Sequence, residues 1–188
     1  PGDNLYANSI IALDALTGKR RWHFQTVHHD IWDYDLAAMP NLFEMKRDGE
    51  IIPAVAVVGK TGFVYVFNRV TGEPLFPMEE RPVPVSTVPG EHAAPTQPFP
   101  TKPPPFARQG LSRGDLHSRN PDGLAPIRSR FDSLRSDGLF TPPSPEGSIV
   151  IPGQLGGGNW SGAAVSPDGM MYVSANELPY VTQVKPGG

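Results

Sequence analysis

The chain has 188 residues, 38% of them hydrophobic and 19% charged, which fits about one globular domain and neither a disordered nor a membrane-spanning chain. A formal charge of −3 argues against a nucleic-acid binder, which shows a basic face. There is no cysteine, so disulfides and thiolate zinc sites are excluded.

The first residues, PGDNLY, carry no basic or apolar leader pattern, and the last, QVKPGG, read as a turn. The expectation is an internal fragment of a longer protein. Residues 8–26, NSIIALDALTGKRRWHFQT, predict strand, tight turn, strand. Residues 54–76, AVAVVGKTGFVYVFNRVTGEPLF, predict three strands separated by turns, and the apolar run around Val55 to Gly59 is too short to cross a bilayer. The pattern Ala12-x-Asp14-x-x-Thr17-Gly18-x-x-x-Trp22 recurs 54 residues later as Val66-x-Asn68-x-x-Thr71-Gly72-x-x-x-Phe76. Asp or Asn followed by Thr-Gly closes a hairpin through side-chain hydrogen bonds and a glycine at positive φ. The terminal aromatic then packs on the next unit. All-β repeats at this spacing point to propeller blades of four strands, although two unrelated hairpins with shared turn chemistry would look alike.

Residues 77–145 hold most of the prolines, 14 of the 23 lying between Pro82 and Pro145. Each proline removes a donor and fixes φ, so this segment predicts a long extended excursion, with one short helix within 128–140. GSIVIPG and residues 162–176 predict three further strands, with a hairpin turn at Asp168-Gly169.

Chemistry concentrates in HHDIWDYD, residues 28–35. On an extended strand Asp33 and Asp35 share one face with Ile31, and Trp32 and Tyr34 share the other. Two carboxylates about 7 Å apart at Cα can share a hard cation, or one of them can act as general base. The plainer reading of Asp33 is a turn or cap carboxylate. His28 and His29 are adjacent, face opposite ways and predict hydrogen-bonded surface histidines rather than joint metal ligands. Lys60, in VVGKTGFVYV, lies between two apolar strands, where a cation either meets a partner or is a solvated turn lysine. GQLGGGNWSG (153–162) offers close backbone approach to a flat ligand, with Asn159 and Trp160 beside it, and lacks the context of a dinucleotide site.

HHDIWDYD (28–35), KTGFVYVFNRVTGE (60–73), GLFTPPSPEGSIVIPG (138–153) and GGNWSGAAVSPDGMMYV (157–173), in this order, resemble the quinoprotein dehydrogenases that use pyrroloquinoline quinone (PQQ). TVHHDIWDYDL and GLFTPPS are most similar to the membrane glucose and quinate dehydrogenase branch, and ALDALTGKRRW resembles the family's tryptophan-docking repeat. The resemblance implies an all-β fold, an eight-bladed propeller of which residues 1–188 would supply about three blades, with 77–145 as a Pro-rich insertion. It implies PQQ-dependent oxidation of an alcohol, polyol or aldose, with Asp33 as catalytic base and Lys60, Asn159 and Trp160 at the cofactor. Asp33 and Asp35 would contact a metal, Ca²⁺ with Mg²⁺ or a lanthanide as alternatives. Further implications are a small-molecule alcohol or sugar substrate, an electron acceptor such as ubiquinone or a cytochrome c, a periplasmic location and no activity in the isolated fragment. Two other classes fit the residues: a non-catalytic propeller scaffold, and a hydrolase using Asp33 and Asp35 as acid and base.

Overall fold

The computed structural model describes residues 2–185. A first hairpin pairs β1 (Ser9–Leu13) with β2 (Arg20–Gln25). A three-stranded antiparallel sheet follows, β3 (Asn41–Arg47), β4 (Glu50–Val58) and β5 (Val64–Asn68), with β4 central. A ribbon joins β6 (Met78–Pro82) to β7 (Thr96–Pro100). One helix, α1 (Leu124–Asp132), comes next. Then β8 (Ser148–Val150) pairs with β11 (Tyr180–Thr182), and β9 (Ala163–Val165) with β10 (Met171–Val173). These small antiparallel sheets are incomplete propeller blades. The expected strand at 74–76 is reduced to a bridge between Phe67 and Pro74. β3 was not anticipated, because its alternating NLFEMKR pattern ends in charged residues.

The period of two in β4 and β5 explains why they anchor the fold. Val55, Val57, Tyr65 and Phe67 enter one core with Trp32, Tyr34, Phe63 and Phe140. Ala56, Val58, Val64 and Val66 enter a second, against Phe43, Phe106 and Met171. A hairpin buried on both faces gains about 1.5–3 kcal/mol for each fully buried valine relative to exposure.

Both copies of the repeat form the expected turn. Asp14 Oδ1 accepts from the Thr17 amide (2.9 Å) and hydroxyl (2.8 Å), and Gly18 takes φ 68°. Asn68 Oδ1 accepts from the Val70 and Thr71 amides (2.9 and 3.3 Å), and Gly72 takes φ 79°. Trp22 then packs on the second unit: its Nε1 donates to the Arg69 carbonyl (3.0 Å) and its ring covers Gly72.

The Pro-rich segment is more structured than the sequence suggests. Its ribbon is two-stranded, so Pro98 and Pro100 leave no central ladder unpaired. The helix starts four residues before the expected window, with Pro126 in its first turn, where a missing amide costs least. Phe99 packs edge-on against Phe63 and Phe140, so the ribbon belongs to the core.

Gly72 tests this packing. A Cβ there would lie 2.5–2.7 Å from Trp22 atoms, at a φ that L-residues rarely adopt. Gly72→Ala is expected to lower stability by about 2 kcal/mol, roughly 4–8 °C in the thermal unfolding midpoint. An unchanged midpoint would show that Trp22 does not depend on a bare backbone here.

Candidate active site

The site forms where three distant segments meet. The β4–β5 turn presents Lys60, the 28–35 segment presents Asp33 and Asp35, and the 156–158 glycines lie along the Lys60 backbone. Lys60 is buried, at 7% exposure, which excludes the solvated-turn reading. Its Nζ lies 2.9 Å from Asp33 Oδ2, as a well-aligned hydrogen bond, and 2.5 Å from Asp35 Oδ1. The second contact is ionic but poorly directed, and Asp35 Oδ1 is a buried oxygen without an aligned donor. Burial alone would pull the Lys60 pKa down, but the bonds to Asp35 and Asp33 outweigh it and hold it above the ordinary lysine value. The ammonium therefore stays charged.

The glycines allow this proximity. The Gly157 amide donates to the Lys60 carbonyl (2.7 Å) and the Gly158 amide to Gly59 (3.3 Å). A Cβ on Gly156, at φ 74°, would overlap the Lys60 side chain.

Residues 28–35 are a run of bends rather than the expected strand, with His29 at φ 41° and Asp33 at φ 67°. The predicted alternation survives by other means. Trp32 and Tyr34 are buried and stacked, with centroids 6.3 Å apart, and Phe140 meets both edge-on. Trp32 Nε1 donates to the Thr141 carbonyl (2.8 Å). The Tyr34 hydroxyl lies against the Pro152 (2.7 Å) and Leu139 (3.1 Å) carbonyls. Burial first, then the charge of Asp30, pushes the Tyr34 pKa far up, so this hydroxyl remains a neutral donor. Asp33, between the two rings, is left exposed and aimed at Lys60. A non-glycine residue in the left-handed region costs about 1–2 kcal/mol, held here by the neighbouring contacts.

His28 and His29 are hydrogen-bonded and partly exposed, as expected. His28 Nε2 lies 3.1 Å from Glu80, and His29 Nε2 3.4 Å from Glu91. Sequence reasoning missed Gln97, a fully buried side chain that accepts from the His28 amide and donates to the His28 carbonyl, both at 2.7 Å. The pairing spans 69 positions, so no local signal carries it. It also missed Asp30, which receives the Trp32 and Tyr34 amides. The spacing from Asp30 to Trp32 is that of an Asx turn and was legible.

Asn159 and Trp160 lie next to the glycine run but do not join the cluster. Asn159 donates to the Leu155 carbonyl (2.8 Å) and accepts from the Trp160 amide (2.8 Å). Trp160 is 84% exposed. Among the described residues no three His, Cys, Asp or Glu side chains form a metal cage. Asp33 and Asp35 converge on the Lys60 ammonium, and their remaining carboxylate oxygens are a donor set that suits a hard cation only in part. The Lys60 ammonium suits an anionic, carbonyl-bearing ligand such as PQQ, whereas the 156–158 glycines are buried against the Lys60 stem, Gly62, Ala107 and Phe106 and so brace the lysine rather than lie open to a ligand.

The fold and this cluster define a PQQ-type propeller. The family model for the PQQ "Glucose/ethanol/alcohol dehydrogenase, beta-propeller domain" matches residues 1–188. The quinoprotein glucose dehydrogenase of Escherichia coli is 38% identical over the whole chain. The quinate/shikimate dehydrogenase (quinone) of Acinetobacter baylyi is 43% identical over 94% of it. The quinohemoprotein alcohol dehydrogenase of Comamonas testosteroni superposes over 94% of the chain and 21% of its own length, with TM-score 0.55 and 25% identity. The chain spans 24% and 22% of the glucose and quinate/shikimate relatives, about a quarter of each. This chain belongs to the PQQ-dependent quinoprotein dehydrogenase family. Within it, the chain falls in the glucose and quinate dehydrogenase branch.

Lys60→Ala would leave two carboxylates facing each other. Its expected cost is about 1–3 kcal/mol, discounted for the exposure of Asp33. Adding Asp33→Asn should recover part of that loss by removing the repulsion, whereas Asp33→Asn alone should cost less than about 1 kcal/mol. Additive losses in thermal unfolding would contradict the coupling.

Proposed function

We propose that this chain forms one side of the quinone pocket of a larger periplasmic dehydrogenase that oxidises an alcohol, polyol or aldose. The single observation that carries the reading is the buried Lys60 ammonium held by Asp33 and Asp35 in a chain of this family.

PQQ, when bound, supplies an electrophilic carbonyl carbon that accepts hydride from the substrate. Lys60 would hold the cofactor's carbonyl oxygens by hydrogen bonds, and its charge suits oxygen that becomes more negative during reduction. Asp33, exposed on the pocket side, would take the substrate hydroxyl proton at its carboxylate. Asp35, less exposed than Asp33, would help hold a divalent cation, Ca²⁺ in the first instance, at the carboxylate oxygen that does not face Lys60. Asn159 and the open face of Trp160 would border the ligand. The electron acceptor proposed is ubiquinone or a cytochrome c. Among the described residues no helix is long and apolar enough to cross a membrane.

A non-catalytic scaffold would share the repeat but has no use for a buried cation aimed at an exposed carboxylate. The test is PQQ and Ca²⁺ reconstitution of the full-length dehydrogenase that carries this segment, followed by dye reduction with ethanol, glucose and quinate. Activity on none of them would refute the substrate class. Asp33→Asn should lower turnover by about 10² to 10⁴ while PQQ absorbance is retained. Asp35→Ala should be partly restored by excess Ca²⁺ or a lanthanide. Near-normal turnover of Asp33→Asn at saturating metal would remove Asp33 from the role of base.

A further inference from the structure

We propose that Asp30 is a positioning residue whose carboxylate sets the backbone rotation that aims Asp33 at Lys60. The proposal rests on the reading of Asp33 as the base. Asp30 Oδ1 accepts from the Trp32 amide (2.8 Å), and Oδ2 accepts from the Tyr34 amide (2.7 Å). These amides belong to the residues on either side of Asp33, and the Tyr34 amide lies in the peptide that follows it. Asn8 Nδ2 donates to Oδ2 from outside the segment (2.8 Å) and fixes the carboxylate in turn. The Trp32 and Tyr34 rings are bonded to the 139–152 segment, which fixes where the loop lies but not how the peptide between them is turned. Asp33 sits at φ 67°, a conformation that relaxes toward negative φ when its flanking amides are released. Such relaxation swings the carboxylate off the 2.9 Å bond to Lys60. Displacement of a reacting group by about 1 Å can cost roughly 10²-fold in rate.

Asp30→Asn keeps one carbonyl acceptor but turns an NH₂ toward the Tyr34 amide and Asn8, donor against donor. Asp30→Ser is milder, since a hydroxyl at this position of the turn still accepts from the amide two residues on. Both are to be made in the full-length PQQ- and Ca²⁺-loaded enzyme, alone and with Asp33→Asn. Asp30→Asn should lower kcat by about 10 to 100-fold with KM changed less than about 3-fold, and Asp30→Ser by less. In the Asp33→Asn background either change should cost under about 2-fold more, because Asp30 acts only through Asp33. Amide hydrogen exchange over residues 31–35, followed by mass spectrometry, should accelerate about 10-fold or more in the Asp30 variants and stay unchanged in Asp33→Asn.

If Asp30→Asn fails to bind PQQ or to fold, Asp30→Ser carries the same readouts. Unchanged kcat, unchanged local exchange, or losses that multiply with Asp33→Asn would each overturn the proposal. Full turnover by Asp33→Asn would instead refute the base assignment, and the exchange arm would still report whether Asp30 fixes the turn.

Discussion

A lysine ammonium at 7% exposure is the constraint on which the site depends. Removing an ion from water costs several kcal/mol even after relaxation, so Lys60 requires opposite charge within contact distance. The fold meets that need by bringing two upstream carboxylates, Asp33 and Asp35, to the β4–β5 turn. Those carboxylates keep much of their hydration, so the desolvation cost falls mainly on the lysine. The arrangement also explains the glycines at 156–158, because any side chain at Gly156 would occupy the space of the lysine stem.

Two carboxylates and one ammonium leave a net negative charge at the cluster. Asp33 spends one oxygen on an aligned bond, while Asp35 Oδ1 has contact without alignment. The two acids therefore differ in geometry although their sequence contexts look alike. That difference is what the proposed division of labour between the two acids rests on: Asp33 is the more exposed, and Asp35 the more closely held. The asymmetry arises from backbone conformation, since Asp33 alone of the pair sits at positive φ.

The parts legible in the sequence were those carried by local chemistry. Asp14 and Asn68 with their Thr-Gly partners closed the turns expected of them, because those bonds span only three positions. That Asp33 and Asp35 share a face was expected, but from a strand that does not form, and their joint contact with Lys60 was not foreseen. A strand and an Asx-bonded bend can expose the same alternate residues, so the facing was right and the backbone was not. The buried Gln97 was invisible because its partner is remote. β3 was missed because a charged exposed face masked its alternation. The Pro-rich segment was underestimated because proline forbids central strands but permits a two-stranded ribbon, which then packs through Phe99. Asn159 was placed beside the site, yet its amide is consumed by its own turn.

The 28–35 loop is pinned from three directions. Gln97 brackets His28, the 139–152 segment receives both rings, and Asp30 binds the Trp32 and Tyr34 amides. Only the side facing Lys60 and solvent is free. Under the proposed reading, this cluster would hold a proton acceptor and a cation in fixed register. Relatives named for glucose and for quinate/shikimate match the chain as a whole at 38% and 43% identity. On that reading the chemistry would reside in the rigid cluster, and substrate choice would come from walls that can vary without disturbing it.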